Sequence, residues 1–74
     1  MTKLGEYLDS KAVNKSQIAR RTGISKQRLS ELALNPTTKL RADELYLIAK
    51  AIGADPCELL DYICGDLKLL DGTA

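Results

Sequence analysis

At 74 residues and a formal net charge of +1, the chain has room for one small hydrophobic core, expected at residues 4–63 within a single domain spanning 1–74. Its apolar residues are mainly Leu, Ile and Ala, with neither Trp nor Phe, which suits short helices packed through aliphatic ridges and predicts an all-α fold. There is no His, no Gly-rich phosphate loop and no nucleophile beside a base, which argues against an enzyme, a metal centre, a cofactor or a small-molecule ligand.

In chain order, Leu4, Tyr7 and Leu8, with Val13 beyond them, follow helical spacing and predict a first helix over about residues 2–12. Asn14 or Ser16 is placed to cap a second helix that Gly23 ends, and Ser25 to cap a third that runs from Lys26 until Asn35-Pro36 stops it. Residues 35–41 read as a polar loop. A fourth helix is expected from Ala42, with Asp43 and Glu44 favourable in its first turn and Leu45, Leu47, Ile48, Ala49, Ala51 and Ile52 dense enough to imply burial, ending at Gly53. Asp55-Pro56-Cys57-Glu58 opens a fifth helix that carries Leu59, Leu60, Tyr62 and Ile63, and Gly65 interrupts it. Residues 66–70 are then either a short continuation or an apolar tail that docks elsewhere. Cys57 and Cys64, seven positions apart and two turns along one helix face, are too far apart to bridge and read as small apolar core residues. Tyr46 and Tyr62 are expected to pack rather than to stack on bases.

The most informative stretch is residues 16–34. Ala19 is small where a second helix must approach the first, Gly23 permits the left-handed conformation of a tight turn, and Leu29 fills the space between the two helices. Ile18, Ile24 and Leu32 complete the apolar wedge. These six positions define a helix-turn-helix built from the second and third helices. Charge agrees with that reading: residues 1–41 carry nine Lys or Arg against three acids, whereas residues 42–74 carry two against seven. The half holding the motif is the one suited to meet phosphates.

Ser16-Gln17-Ile18-Ala19 through Gly23-Ile24-Ser25, followed by Leu45 to Gly53 and Asp55 to Leu60, resembles the Cro/C1-type helix-turn-helix family, also called the XRE family, over about residues 4–63. The resemblance implies a compact, lambda-repressor-like bundle of five short helices and a sequence-specific regulator; many members are repressors or antitoxins. The chain departs from the family between the third and fourth helices, where Leu34-Asn35-Pro36-Thr37-Thr38-Lys39 replaces an acidic residue, a glycine and a basic loop. Asn35 is expected to take the glycine's left-handed place.

On this reading the partner is double-stranded DNA. Lys26, Gln27, Ser30 and Glu31 face outward on the recognition helix and are the candidate base readers, because a helix in the major groove presents its N-terminal side chains to base edges. Lys15, Ser16, Gln17, Ser25, Arg28, Lys39 and Arg41 are the candidate phosphate contacts, with free amides at the start of the second helix expected to help. Arg20 and Arg21 are assigned to pairs with acids of other helices rather than to DNA. Residues 64–74 are read as a tail or dimerisation segment, since Leu60, Ile63, Leu67, Leu69 and Leu70 exceed what a short helix needs, and a homodimer follows. No apolar run spans a membrane, and Met-Thr-Lys-Leu-Gly-Glu-Tyr lacks a secretion-signal core, so a cytoplasmic, nucleoid-associated location is expected. The alternative function is a protein-interaction module or antitoxin-like partner with weak DNA affinity.

Overall fold

The computed structural model describes residues 1–70. These form five helices and no strand: α1 (Lys3–Ser10), α2 (Lys15–Thr22), α3 (Lys26–Leu34), α4 (Ala42–Ile52) and α5 (Pro56–Cys64). α1 packs on α3 and α5, α2 on α3 and α4, and α4 on α5. The core at their meeting point is Leu4, Tyr7, Leu8, Ile18, Leu29, Leu32, Leu45, Ile48, Ala49 and Leu59, of which Leu29, Ile48 and Leu59 are the largest completely buried side chains.

Four of the five helices begin at a side-chain cap. Thr2, Asn14, Ser25 and Asp55 each accept a hydrogen bond from an amide in the first turn, satisfying a donor that the helix itself leaves unpaired. α4 starts differently: the Glu44 carboxylate reaches back to accept the Arg41 amide at 3.0 Å. Gly23 closes α2 at φ +79° with its amide donating to the Ala19 carbonyl, the left-handed step that lets α3 leave at a steep angle.

Thr2 also joins α1 to the end of α3. Its hydroxyl donates towards the Leu32 and Ala33 carbonyls at 2.7 and 3.0 Å, and its amide donates to Ala33 at 2.9 Å. These bonds serve carbonyls that the last turn of α3 cannot pair within the helix. Gly5 makes the approach possible, because a Cβ there would press on the Ala33 carbonyl.

Several expectations need correcting. α1 stops at Ser10, not residue 12, because Ala12 turns the chain in the left-handed region at φ +53°; Val13 lies beyond the helix but still packs on the core. Asn35 is extended at φ −99° rather than left-handed, as the following Pro36 requires; its Oδ1 instead accepts from the Thr37 amide and hydroxyl. Leu47 is exposed on α4. Cys57 is exposed and Cys64 half-buried, both as free thiols, because Cys57 sits in the first turn of α5 on the side away from the buried Leu59. Tyr62 packs edge-on against Tyr7 with ring centroids 5.2 Å apart, whereas Tyr46 is half exposed beside Lys50.

Replacing Thr2 with Ala removes both the α1 cap and the hydroxyl bond to α3 and should lower unfolding free energy by about 1–2 kcal/mol. Thr2→Ser should retain most of it. Urea denaturation decides the matter, and a Thr2→Ala midpoint equal to that of the unmodified chain would show that the joint contributes nothing.

Candidate nucleic-acid interface

α3 is two-faced. Leu29, Leu32 and Ala33 are buried against α1 and α2, while Lys26, Gln27 and Glu31 are exposed and Ser30 is half-buried at the margin. The four residues expected to read bases therefore lie together on the open side of one short helix, and Ser25 holds its first turn by accepting the Arg28 amide at 3.0 Å. Of the scaffold positions, Ile18, Leu29 and Leu32 are buried, and Ala19 and Ile24 pack partly against the core. Gly23 makes the turn.

The cations expected at phosphates lie on other elements. Lys15 is half-buried at the start of α2, and Lys39 is exposed in the loop that leads to α4. Arg41 is exposed too, and its guanidinium lies 3.2 Å from Asp43. A pair so open to water contributes little and exchanges readily for another anion.

The start of α2 differs from expectation in one respect. The Ser16 amide donates to the Asn14 side chain at 2.8 Å and the Gln17 amide to the Asn14 carbonyl at 3.1 Å. Those amides are not free for a phosphate. What Ser16 and Gln17 offer there is an exposed hydroxyl and an exposed carboxamide, beside the positive end of the helix dipole.

Arg28, expected at phosphate, is bound inside the chain. Its Nε donates to Glu44 Oε2 at 2.9 Å, and its Nη2 donates both to Glu44 Oε1 and to the Lys39 carbonyl at 3.0 Å. Glu44 is 8% exposed, so its charge needs this partner. The Arg28 guanidinium, foremost, and the Arg41 amide hold the Glu44 carboxyl below its ordinary value, against burial, which pushes the other way. Sequence reasoning missed this pair, whose members are sixteen positions apart on different helices; Glu44, like Asp43 beside it in the first turn of α4, reads equally well as a helix-dipole residue. Arg21, assigned to contacts with other helices, donates to the Ala51 carbonyl near the end of α4 at 2.8 Å rather than to an acid.

A motif of exposed polar side chains on a capped second helix, following a glycine turn, is the arrangement of a helix-turn-helix. The family model of the Cro/C1-type HTH DNA-binding domain matches residues 3–65, and the chain belongs to that family. Comparisons with curated proteins and with solved structures give no match. Among the described residues, no helix is long and apolar enough to cross a membrane.

The lowered Glu44 carboxyl makes a pH prediction. The folded chain keeps this group ionised more readily than the unfolded chain does, so its contribution to stability is complete above the ordinary value of 4.5 and is lost as pH falls through the lower folded value. Glu44→Gln should therefore flatten the acid limb of a plot of urea midpoint against pH. Parallel curves for the two chains would contradict this role.

Proposed function

We propose that the chain is a sequence-specific double-stranded-DNA-binding regulator of transcription that reads the major groove with α3. The observation that carries this reading is the open polar edge of Lys26, Gln27, Ser30 and Glu31 on a helix whose opposite face is buried; the exposed cations Lys39 and Arg41 follow in the loop that Arg28 of the same helix holds through the Lys39 carbonyl. In that groove Lys26 suits the acceptors of guanine, Gln27 the donor and acceptor of adenine, and Glu31 the amino group of cytosine. Lys15, Ser16, Gln17, Ser25, Lys39 and Arg41 would serve phosphates, fixing register without reading sequence. Repression by steric competition with polymerase is the simplest consequence, in the cytoplasm and on the nucleoid.

A homodimer fits the same reading. Leu60, Leu67, Leu69 and Leu70 are exposed, Leu70 completely, whereas Ile63 is partly buried against the core and offers less. Beyond residue 70 the segment expected to dimerise lies outside the described residues. Two copies would set their recognition helices about 34 Å apart, on successive major grooves. The same apolar side chains are what favours the second reading, an interaction module or antitoxin-like partner with weak DNA affinity.

Titration of fluorescent duplexes across a salt series separates the two. The regulator binds duplex DNA with affinity that falls steeply as salt rises. Replacing Lys26 and Gln27 together with Ala should then remove discrimination between sequences, while Lys39→Ala should weaken binding to every duplex alike and reduce the salt slope by about 1. Absence of duplex binding even at low salt would leave the interaction module.

A further inference from the structure

The backbones of α3 and α4 do not approach each other closely: α3 packs on α1 and α2, and α4 on α2 and α5. The side-chain bridge between them is Arg28–Glu44. Four groups converge there. The guanidinium of Arg28 holds both oxygens of Glu44, the same guanidinium holds the Lys39 carbonyl, and Glu44 Oε1 also accepts the Arg41 amide. The loop is thereby fastened at Lys39 and at Arg41, with Leu40 between them packed partly against the core. Arg28 stands one residue after Gln27 and immediately before the completely buried Leu29. A rigid planar fork with several donors suits such a joint, where a lysine ammonium would act only as a point charge.

We propose that Arg28 is a positioning residue rather than a phosphate contact: through Glu44 and the Lys39 carbonyl it fixes the loop cations Lys39 and Arg41 relative to the base-reading edge of α3. The inference rests on the DNA-binding reading above and assigns Arg28 and Glu44 a part in it. Phosphate contacts set the register in which base contacts are made. A loop that slides relative to α3 lets the cations find phosphates in several registers, most of which misalign Lys26 and Gln27. Loss of the joint therefore costs discrimination between sequences more than it costs attraction to DNA.

Three substitutions separate this role from direct phosphate binding, and for the first of them the two roles predict opposite signs. Glu44→Gln removes a negative charge and leaves Arg28 in place. If Arg28 belongs to phosphate, the substitution releases it and binding to every duplex tightens. If Arg28 positions the loop, affinity for a duplex selected by the unmodified chain falls about tenfold while affinity for a scrambled duplex holds or rises. Arg28→Lys keeps the cation but loses the fork, and it should show the same loss of discrimination with an unchanged salt slope; a slope reduced by about 1 on Arg28→Ala, with discrimination intact, would overturn the proposal. Hydrogen exchange supplies a readout without DNA. In Glu44→Gln and Arg28→Lys the amide of Arg41, which Glu44 accepts in the joint, should exchange faster while those of α1 and α5 keep their protection, and unchanged exchange there would overturn the proposal whether or not the chain binds duplexes. Far-UV circular dichroism at neutral pH confirms that each variant retains its helices. A chain that binds no duplex while its loop loosens as described would remove the DNA reading and leave the joint itself standing.

Discussion

The whole arrangement depends on the steep junction between α2 and α3. Three residues, Gly23, Ile24 and Ser25, separate the two helices, and in that space the chain must end one helix, turn and cap the next. A left-handed residue at the end of α2 makes the turn short enough for Ile18 and Leu29 to be buried in the same core. Neither helix is long enough to be stable alone. Their shared apolar wedge holds them, and because it takes only one side of α3, the other side is left with its polar residues in water.

Charge is distributed on the same logic. The exposed cations Lys26, Lys39 and Arg41 belong to α3 and the loop after it, whereas most of the acids lie in the C-terminal half of the chain. Of the two acids at the start of α4, Asp43 pairs openly with Arg41 at 3.2 Å, whereas Glu44 is buried and bonded to Arg28; the Glu44 carboxylate is the one turned inward. Its negative charge is thus directed into the fold rather than towards an approaching phosphate. The exposed pair of Lys3 with Asp66, at 2.9 Å, ties the start of α1 to the stretch after α5, and the Lys3 ammonium holds the Asp66 carboxyl below its usual value. So open a pair adds little to stability.

Features set by neighbouring residues were legible in the sequence. Ser25 and Asp55 as caps, Pro56 in the first turn of α5, Gly23 as a left-handed turn and Gly53 as the end of α4 each act within a turn of themselves, and the spacing of Ala19, Gly23 and Leu29 carried the motif. Two local readings failed for local reasons: Asn35 was judged by its own tolerance rather than by Pro36 after it, and the turn at Ala12 has no glycine to mark it. Features joining distant residues were not legible. Thr2 reaches across thirty positions to Leu32, and Arg28 reaches across sixteen to Glu44; in each case the sequence shows a residue able to bond but not which partner folding brings to it. The outward edge of α3 falls between these cases, since periodicity places Lys26, Gln27 and Glu31 on the open face while nothing in periodicity says what they meet.

The central claim is that this edge reads DNA sequence. Selection from randomised duplexes at near-physiological salt, followed by sequencing of the retained pool, tests it most directly. The account predicts an enriched motif, arranged as an inverted repeat with half-sites about one helical turn apart if two copies bind together and as a single half-site if one binds alone. A retained pool no richer in any sequence than the starting library would contradict it.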